Sequence, residues 1–258
     1  RLVPHRGGHV PRGRRVGRAF LPRGRRVGCA VGGRYTVAML TTVDLFDLAR
    51  VPAELRGLLD EELPWGALAR LDAFGAELVA APGDVHATAV VEGPLYMAPG
   101  ARVGPHAYLT GPVYLAPGAE VGHGARLRGP VVLGPGAKVG HASEVKRSLL
   151  LGGAKAPHFN YVGDSVVGHD VNLGAGVKVA NFKAFGGEVS VGGVRTGLRK
   201  FGAAIGDGVS IGCNAVLAPG TLVGKRTVIY HGATVRGVVA AGTVVKLRQE
   251  QESAPLEG

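Results

Sequence analysis

The sequence predicts a mainly β protein: a solenoid of short parallel strands preceded by a small helical region. Three observations predict it. Aliphatic residues recur at every sixth position over most of the chain. Glycine is abundant, at 44 of 258 residues, while aromatics make up only 5%. The one stretch with helical periodicity, residues 39–82, ends where the six-residue period begins. An apolar fraction of 46% with so few aromatics argues against a layered core and for a repetitive one.

Residues 1–38 form a basic arm with ten arginines and no Asp, Glu or Lys. The whole chain carries +11, but residues 39–258 hold 20 basic against 19 acidic residues. The excess is local, and the body gives no electrostatic reason to expect nucleic acid. "PRGRRVGRAFL" is followed directly by "PRGRRVGCAVG", a near-repeat rich in Gly, Pro and Arg. Such a segment buries too little apolar surface to offset its ordering entropy. It reads either as a tether to nucleic acid or membrane, or as a disordered or non-native extension. Met39, the first methionine, opens the amphipathic stretch and favours the second reading. The arm lacks the apolar core of a signal peptide, and no apolar run is long enough to span a membrane. Cys29 and Cys213 form neither a CxxC motif nor a disulfide framework. The expectation is a soluble cytoplasmic protein.

Thr42 or Asp44 can cap a first helical turn. "PAELRGLLDEEL" (52–63) begins with Pro, which a first turn tolerates. "PWGALARLDAFGAEL" (64–78) places Leu68, Leu71, Phe74 and Leu78 on one face. This region is expected to pack against the end of the solenoid.

From Val85 to Leu151 every sixth residue is aliphatic or Met. Twelve such positions in a row arise by chance on the order of once in ten thousand frames. The register returns at Val167, Leu173 and Val179, and again from Ile205 to Val235. Gly or Ala often follows the aliphatic, and a small residue often lies four places on. This is a six-residue repeat: one inward aliphatic per short strand, one small residue per corner, three repeats per triangular coil. Coils of 18 residues would stack at roughly 4.8 Å, the strand spacing. The solenoid is expected over 83–246, with a tail at 247–258. Residues 181–198 break the period, so an inserted loop is expected over 181–200, where binding groups tend to sit.

The motifs "ARLRG" (125–129), "EVKRS" (144–148), "HFNYVGDS" (158–165), "VNLGAG" (171–176) and "NF" (181–182) fit one family without gaps. The chain here resembles the acetyltransferase domain of the bifunctional N-acetylglucosamine-1-phosphate uridyltransferases. "RTGLRKFGAAIGDGVSIG" (195–212) is similar to sugar-1-phosphate nucleotidyltransferases that carry a comparable C-terminal domain. The resemblance implies a left-handed parallel β-helix, an exception to the right-handed crossover rule. It implies acetyl transfer from acetyl-CoA to glucosamine-1-phosphate or galactosamine-1-phosphate, with no metal required, in a homotrimer whose sites are shared between neighbours. By the same resemblance Tyr161 and Asn172 contact the sugar phosphate, and Asn181 positions the amine or the acetyl carbonyl. The backbone near Ala175 and the side chain of Cys213 line the acetyl-CoA groove. Two departures stand out. No Gly-rich nucleotide loop precedes the repeats, so nucleotidyl transfer is not expected. The family lysine of the loop has no aligned counterpart, and Lys183 or Lys200 can replace it.

The chemistry assigns roles to the remaining residues. Acetylating an amine requires removal of a proton, donors for the oxyanion, and fixed substrates. His158 suits the first task, since imidazole titrates near neutrality, and Glu144 can orient it. Arg128 and Lys146 lie 18 residues apart, one coil, and would form a two-rung basic ladder for a phosphate. Arg236, Lys246 and Arg248 can meet the CoA phosphates. Two other classes compete. A zinc hydratase shares such solenoids, and His123 and His141 are one coil apart, but its histidine spacing is missing here. A trimeric scaffold or regulatory subunit of a nucleotidyltransferase would not require His, Tyr, Asn, Arg and Lys at these spacings.

Overall fold

The computed structural model describes residues 38–81, 83–250, 252, 253 and 255. The expectation for the basic arm, including Cys29, lies outside them.

Nine short parallel strands, from Asp84–Val85 to Val244–Val245, stack as one face of a solenoid. A fourteen-stranded sheet supplies the other two faces. It spans both because Arg126–Leu133 and Glu144–Leu150 run on through the corner between them. Inward aliphatics such as Leu109, Leu115, Leu127 and Leu133 are fully buried. They stack in register one coil apart, Leu109 beneath Leu127 and Leu115 beneath Leu133. Ala107, Ala119, Ala125 and Ala137 fill the corners. The expected mainly β solenoid is thus observed.

The period slips where the sequence alone did not place a slip. Glu144 pairs with Tyr161 and Leu149 with Val166, so this coil holds 17 residues. The ladder shifts between Lys146 and Ser148, around Arg147 at φ 43°. The chain therefore reaches the next face one residue early. Leu150, not Leu151, fills the inward place, and Leu151 is buried on the outside.

The helical region is built from short pieces. The first helix, α1 (Thr42–Leu45), is capped by Thr41 and not by Thr42 or Asp44; Asp44 closes the box by accepting from the Thr41 N–H at 2.9 Å. The expected run at 52–63 is α2 (Ala53–Arg56) followed by a 3-10 turn, Gly57–Leu59. A 3-10 turn at Pro64–Gly66 leads into α3 (Ala67–Ala76), which buries Leu68 and Leu71.

These pieces lie along a flank of the solenoid, not at its end. On that flank the strands are apolar on both sides. Val113 and Leu115 point into the coil, while Tyr114, Val132, Leu149, Val166 and Leu222 point outward. Leu45, Phe46, Leu55, Trp65, Leu68 and Leu71 cover them. A sheet face this apolar must be covered to stay out of water. Gly75 permits the approach of α3: a Cβ there would lie 2.8 Å from Pro112 and 2.9 Å from Pro130. Asp207 ties the layers together, accepting the Asp47 N–H at 2.6 Å and the His169 N–H at 2.7 Å.

The loop at 181–200 carries an antiparallel hairpin, Ser190–Val191 with Val194–Arg195. Val189 and Val191 pack into the flank cluster. The Phe201 N–H closes the loop's neck on the Asn181 carbonyl at 3.0 Å.

Candidate functional site

A cleft of about 780 Å³ opens between one face of the solenoid and the neck of the inserted loop. Arg128, Lys146, Tyr161, Asn181 and Lys200, five residues singled out from the sequence, line it together. Arg147, Asp164, Phe182, Leu198 and Arg199 complete the lining.

The basic ladder forms as the 18-residue spacing predicts, Lys146 directly over Arg128. Each rung also has its own counter-charge. Arg128 Nη1 lies 2.8 Å from Glu144, whose hydrogen bond holds the guanidinium still more firmly charged than usual. Lys146 Nζ lies 2.9 Å from Asp164. Glu144 therefore does not orient His158, as the sequence suggested. Strand register sets it beneath Tyr161, on the cleft face, where Arg128 takes its carboxylate.

Asp164 is the centre of the wall. It is 1% exposed and takes the left-handed conformation, φ 46°. Its carboxylate accepts from Lys146 Nζ, from Arg147 Nη1 at 3.4 Å, and from Asn181 Nδ2. Arg147 also reaches Asp72 of α3, Nε to Oδ1 at 2.9 Å, so the helical region contacts the cleft. In the sequence Asp164 stands inside the motif "HFNYVGDS" with no role of its own. Strand register sets Gly163, not Asp164, over Lys146, and the Asp164 carboxylate reaches back to Nζ.

Gly163 makes room for the polar edge above this wall. A Cβ at Gly163 would lie 2.5 Å from Asn181 Nδ2 and 2.7 Å from the Tyr161 hydroxyl. Burial, then the charges of Glu144 and Asp164, raise the Tyr161 pKa above that of an ordinary phenol. The phenol is a hydrogen-bond donor at neutral pH.

His158 lies around the corner from Tyr161, outside the cleft lining. Phe159, at φ 53°, and the buried Asn160 make the turn. Asn160 locks it: Oδ1 accepts from the His158 N–H at 3.0 Å, and Nδ2 donates to the Gly174 carbonyl at 2.7 Å. His158 sits over His141. The same edge continues upward through Ala175 and Cys213, because the Gly176 N–H bonds the His158 carbonyl and the Asn214 N–H bonds that of Ala175. Cys213 is free and exposed. His158, Ala175 and Cys213 thus share one edge, and Lys246 lies near its top, 5.5 Å from the Tyr230 ring. Asn172 and Arg236 are not brought to either feature. Asn172 is exposed on the nine-stranded face, between Lys155 and Ser210. Arg236 follows the strand Thr234–Val235 near the far end of the cleft face. Of the two loop lysines, Lys183 bonds the Glu188 carbonyl at 2.9 Å, and Lys200 faces the cleft.

Among the described residues no cluster of three His, Cys, Asp or Glu is arranged to hold a metal. His123 and His141 bond each other instead, Nδ1 to Nδ1 at 2.8 Å. No described helix is long and apolar enough to cross a membrane.

Comparison with known proteins agrees with this solenoid. Residues 109–196 match the family described as GMPPB C-terminal domain, and residues 202–237 match bacterial transferase hexapeptide (six repeats). A bifunctional sugar-1-phosphate nucleotidylyltransferase/acetyltransferase of Sulfurisphaera tokodaii is 41% identical over 102 residues, 38% of this chain and 25% of that protein. Bifunctional protein GlmU of Heliobacterium modesticaldum is 36% identical over 100 residues, 39% of this chain and 19% of its own. GlmU of Methanococcus vannielii is 42% identical over 79 residues, 29% of this chain and 19% of its own. The chain spans a quarter or less of the length of these relatives. The hexapeptide match covers the repeats at 202–237.

Proposed function

We propose that this chain is an acyltransferase that moves the acetyl group of acetyl-CoA to the amine of an amino-sugar 1-phosphate. Glucosamine-1-phosphate and galactosamine-1-phosphate are the simplest such acceptors. The observation that carries the reading is the cleft itself, where Arg128, Lys146, Tyr161, Asn181 and Lys200 converge beside the edge that bears His158.

In this reading the anomeric phosphate meets Arg128 and Lys146, which offer directed donors from positions fixed by Glu144 and Asp164. Tyr161 donates to the sugar or its phosphate. Asn181, pinned on Asp164, aligns the amine or the acetyl carbonyl. Acetyl-CoA lies along the edge formed by Ala175 and Cys213, with Lys246 near its phosphates. His158 takes a proton from the amine as its nitrogen attacks the thioester carbon. The C–S bond of the tetrahedral intermediate then breaks, the amide forms, and the departing thiolate takes the proton from His158.

One chain presents the cleft and the His158 edge around a corner from each other. A homotrimer in which a neighbour covers that corner would enclose both substrates. Light scattering should report a trimer at micromolar concentration, and a monomer would remove the shared site.

The direct test of activity is thiol release from acetyl-CoA with each acceptor. No release with any amino sugar, as the 1-phosphate or carried on a nucleotide, would overturn the reading. Arg128→Ala should raise the KM for the sugar phosphate and leave that for acetyl-CoA nearly unchanged. Losing one charge-assisted contact costs about 1.5–3 kcal/mol, or roughly ten- to a hundredfold. Equal effects on both substrates would make Arg128 a structural partner of Glu144 only.

A further inference from the structure

We infer that the neck of the inserted loop is a nucleoside-diphosphate subsite, in which Arg199 and Lys200 take the two charges of a diphosphate diester and Phe182 stacks on the base. The inference rests on the acetyl-transfer reading but changes its acceptor: the amino sugar would be carried on a nucleoside diphosphate, whose phosphoryls meet the neck in place of a free 1-phosphate on Arg128 and Lys146.

Charge is the first argument. The three cations of the solenoid wall already face three carboxylates: Arg128 on Glu144, Lys146 on Asp164, and Arg147 on Asp72 and Asp164. The wall offers directed donors but no net charge. Within the loop, Arg195 pairs with Glu188 and Lys183 bonds the Glu188 carbonyl. Arg199 and Lys200 line the cleft, are exposed, and among the described residues have no carboxylate within ion-pair distance. The cleft's uncompensated charge is therefore concentrated at the neck, where it would draw an anion. The diphosphate of a nucleotide sugar carries one negative charge on each phosphoryl group, a match for one guanidinium and one ammonium.

Placement is the second argument. Asn181 is anchored on Asp164, and the Phe201 N–H closes on its carbonyl at 3.0 Å. Phe201 is itself fully buried, its ring 6.0 Å from that of Trp65. Phe182 and Lys200 each adjoin this pinned pair, so they flank the neck from its two ends on a rigid base. Phe182 lines the cleft yet remains 45% exposed, an aromatic face without a cover. Stacking on such a ring tolerates any base, since every base has a π-face.

Size is the third. At about 780 Å³ the cleft sits high in the range of small-molecule sites, which runs from about 300 to 1,000 Å³. An amino sugar with a single phosphate would occupy the wall and leave Phe182 bare.

Calorimetry on the full chain tests the subsite directly, with uridine diphosphate, guanosine diphosphate and inorganic pyrophosphate as probes. Both nucleotides should bind more tightly than pyrophosphate. Phe182→Ala should remove that advantage, roughly tenfold or more, and leave pyrophosphate binding alone. Arg199→Gln and Lys200→Gln should each weaken all three probes by roughly tenfold or more. Nucleotides that bind no better than pyrophosphate, or a Phe182→Ala chain that keeps the difference, would overturn the subsite. Kinetics separate it from the acetyl-transfer reading. The protein should acetylate UDP-glucosamine with a higher kcat/KM than glucosamine-1-phosphate, and Phe182→Ala should lower only the former. Preference for glucosamine-1-phosphate, indifferent to Phe182→Ala, would overturn the subsite and leave acetyl transfer standing. Acetylation of neither compound would overturn acetyl transfer, and the calorimetry would still decide the subsite. Circular dichroism confirms that each variant is folded.

Discussion

His158→Ala should lower the turnover number by about 10²–10⁴-fold, the usual contribution of a positioned general base. The melting temperature should stay within a few degrees. The structure separates these two outcomes. His158 is exposed, and among the described residues it takes part in the corner through its backbone, the N–H bonded to Asn160 and the carbonyl accepting from the Gly176 N–H. Alanine keeps that N–H, so the turn persists while the imidazole is lost. The surviving rate should rise with pH and lose the acid limb of the parent, because free amine then forms without help from a base. His141, one coil below and bonded to His123, is the control. It shares the edge with His158 but is paired elsewhere, and His141→Ala should leave the pH profile unchanged. A His158→Ala chain that keeps near-parental turnover on every acceptor would make this residue a corner residue, and the acetyl-transfer reading would lose its main support.

Much of this site was legible because a solenoid converts sequence spacing directly into distance. Arg128 and Lys146 are stacked because they are one coil apart, and the strand register follows from the period. What escaped were the departures from the period. The 17-residue coils move Leu150 inward and set His141, where a step of 18 gives Gly140, beneath His158. A count in steps of 18 cannot show this, since the slip arises at Arg147, where the chain enters the left-handed region. The flank packing of the helices was legible but not read. Tyr114, Val132 and Leu149 are outward-facing and apolar, while Arg102, Glu120 and Lys138 occupy the outward places of the nine-stranded face. That contrast alone says which face is covered. The loop neck lay beyond reach, because no period runs through 181–200 and its two ends are brought together by the bond from Phe201 to Asn181 and by the bonds of Asn181 and Gly202 to Asp164.

Asp164→Ala should destabilise the fold by about 3–5 kcal/mol, the cost of removing one partner from a buried ion pair. The lower half of that range is expected. Lys146 and Arg147 retain side-chain exposures of 19% and 20%, so water relieves part of their lost compensation. Arg147 also keeps Asp72. Activity should fall further than stability, because Asn181 loses its anchor and Lys146 its fixed position. Urea unfolding with an unchanged slope would report the stability difference. The cause can be tested with a double-mutant cycle. If Asp164 acts as the counter-charge, Lys146→Met alone leaves a buried carboxylate short of one cation, and Asp164→Ala alone leaves a cation short of its carboxylate. The two together remove both halves of the pair, so the double variant should be clearly more stable than the sum of the singles implies. Coupling between contacting charges is typically about 0.5–3 kcal/mol. Additive losses would mean that Asp164 holds the turn at φ 46° through its backbone bonds to Lys146 and Gly202, and that its charge is incidental to the wall. Asp164→Asn separates shape from charge within the same residue. It keeps the side chain's size and one acceptor, so it should recover most of the stability if the turn dominates, and little of it if the carboxylate does.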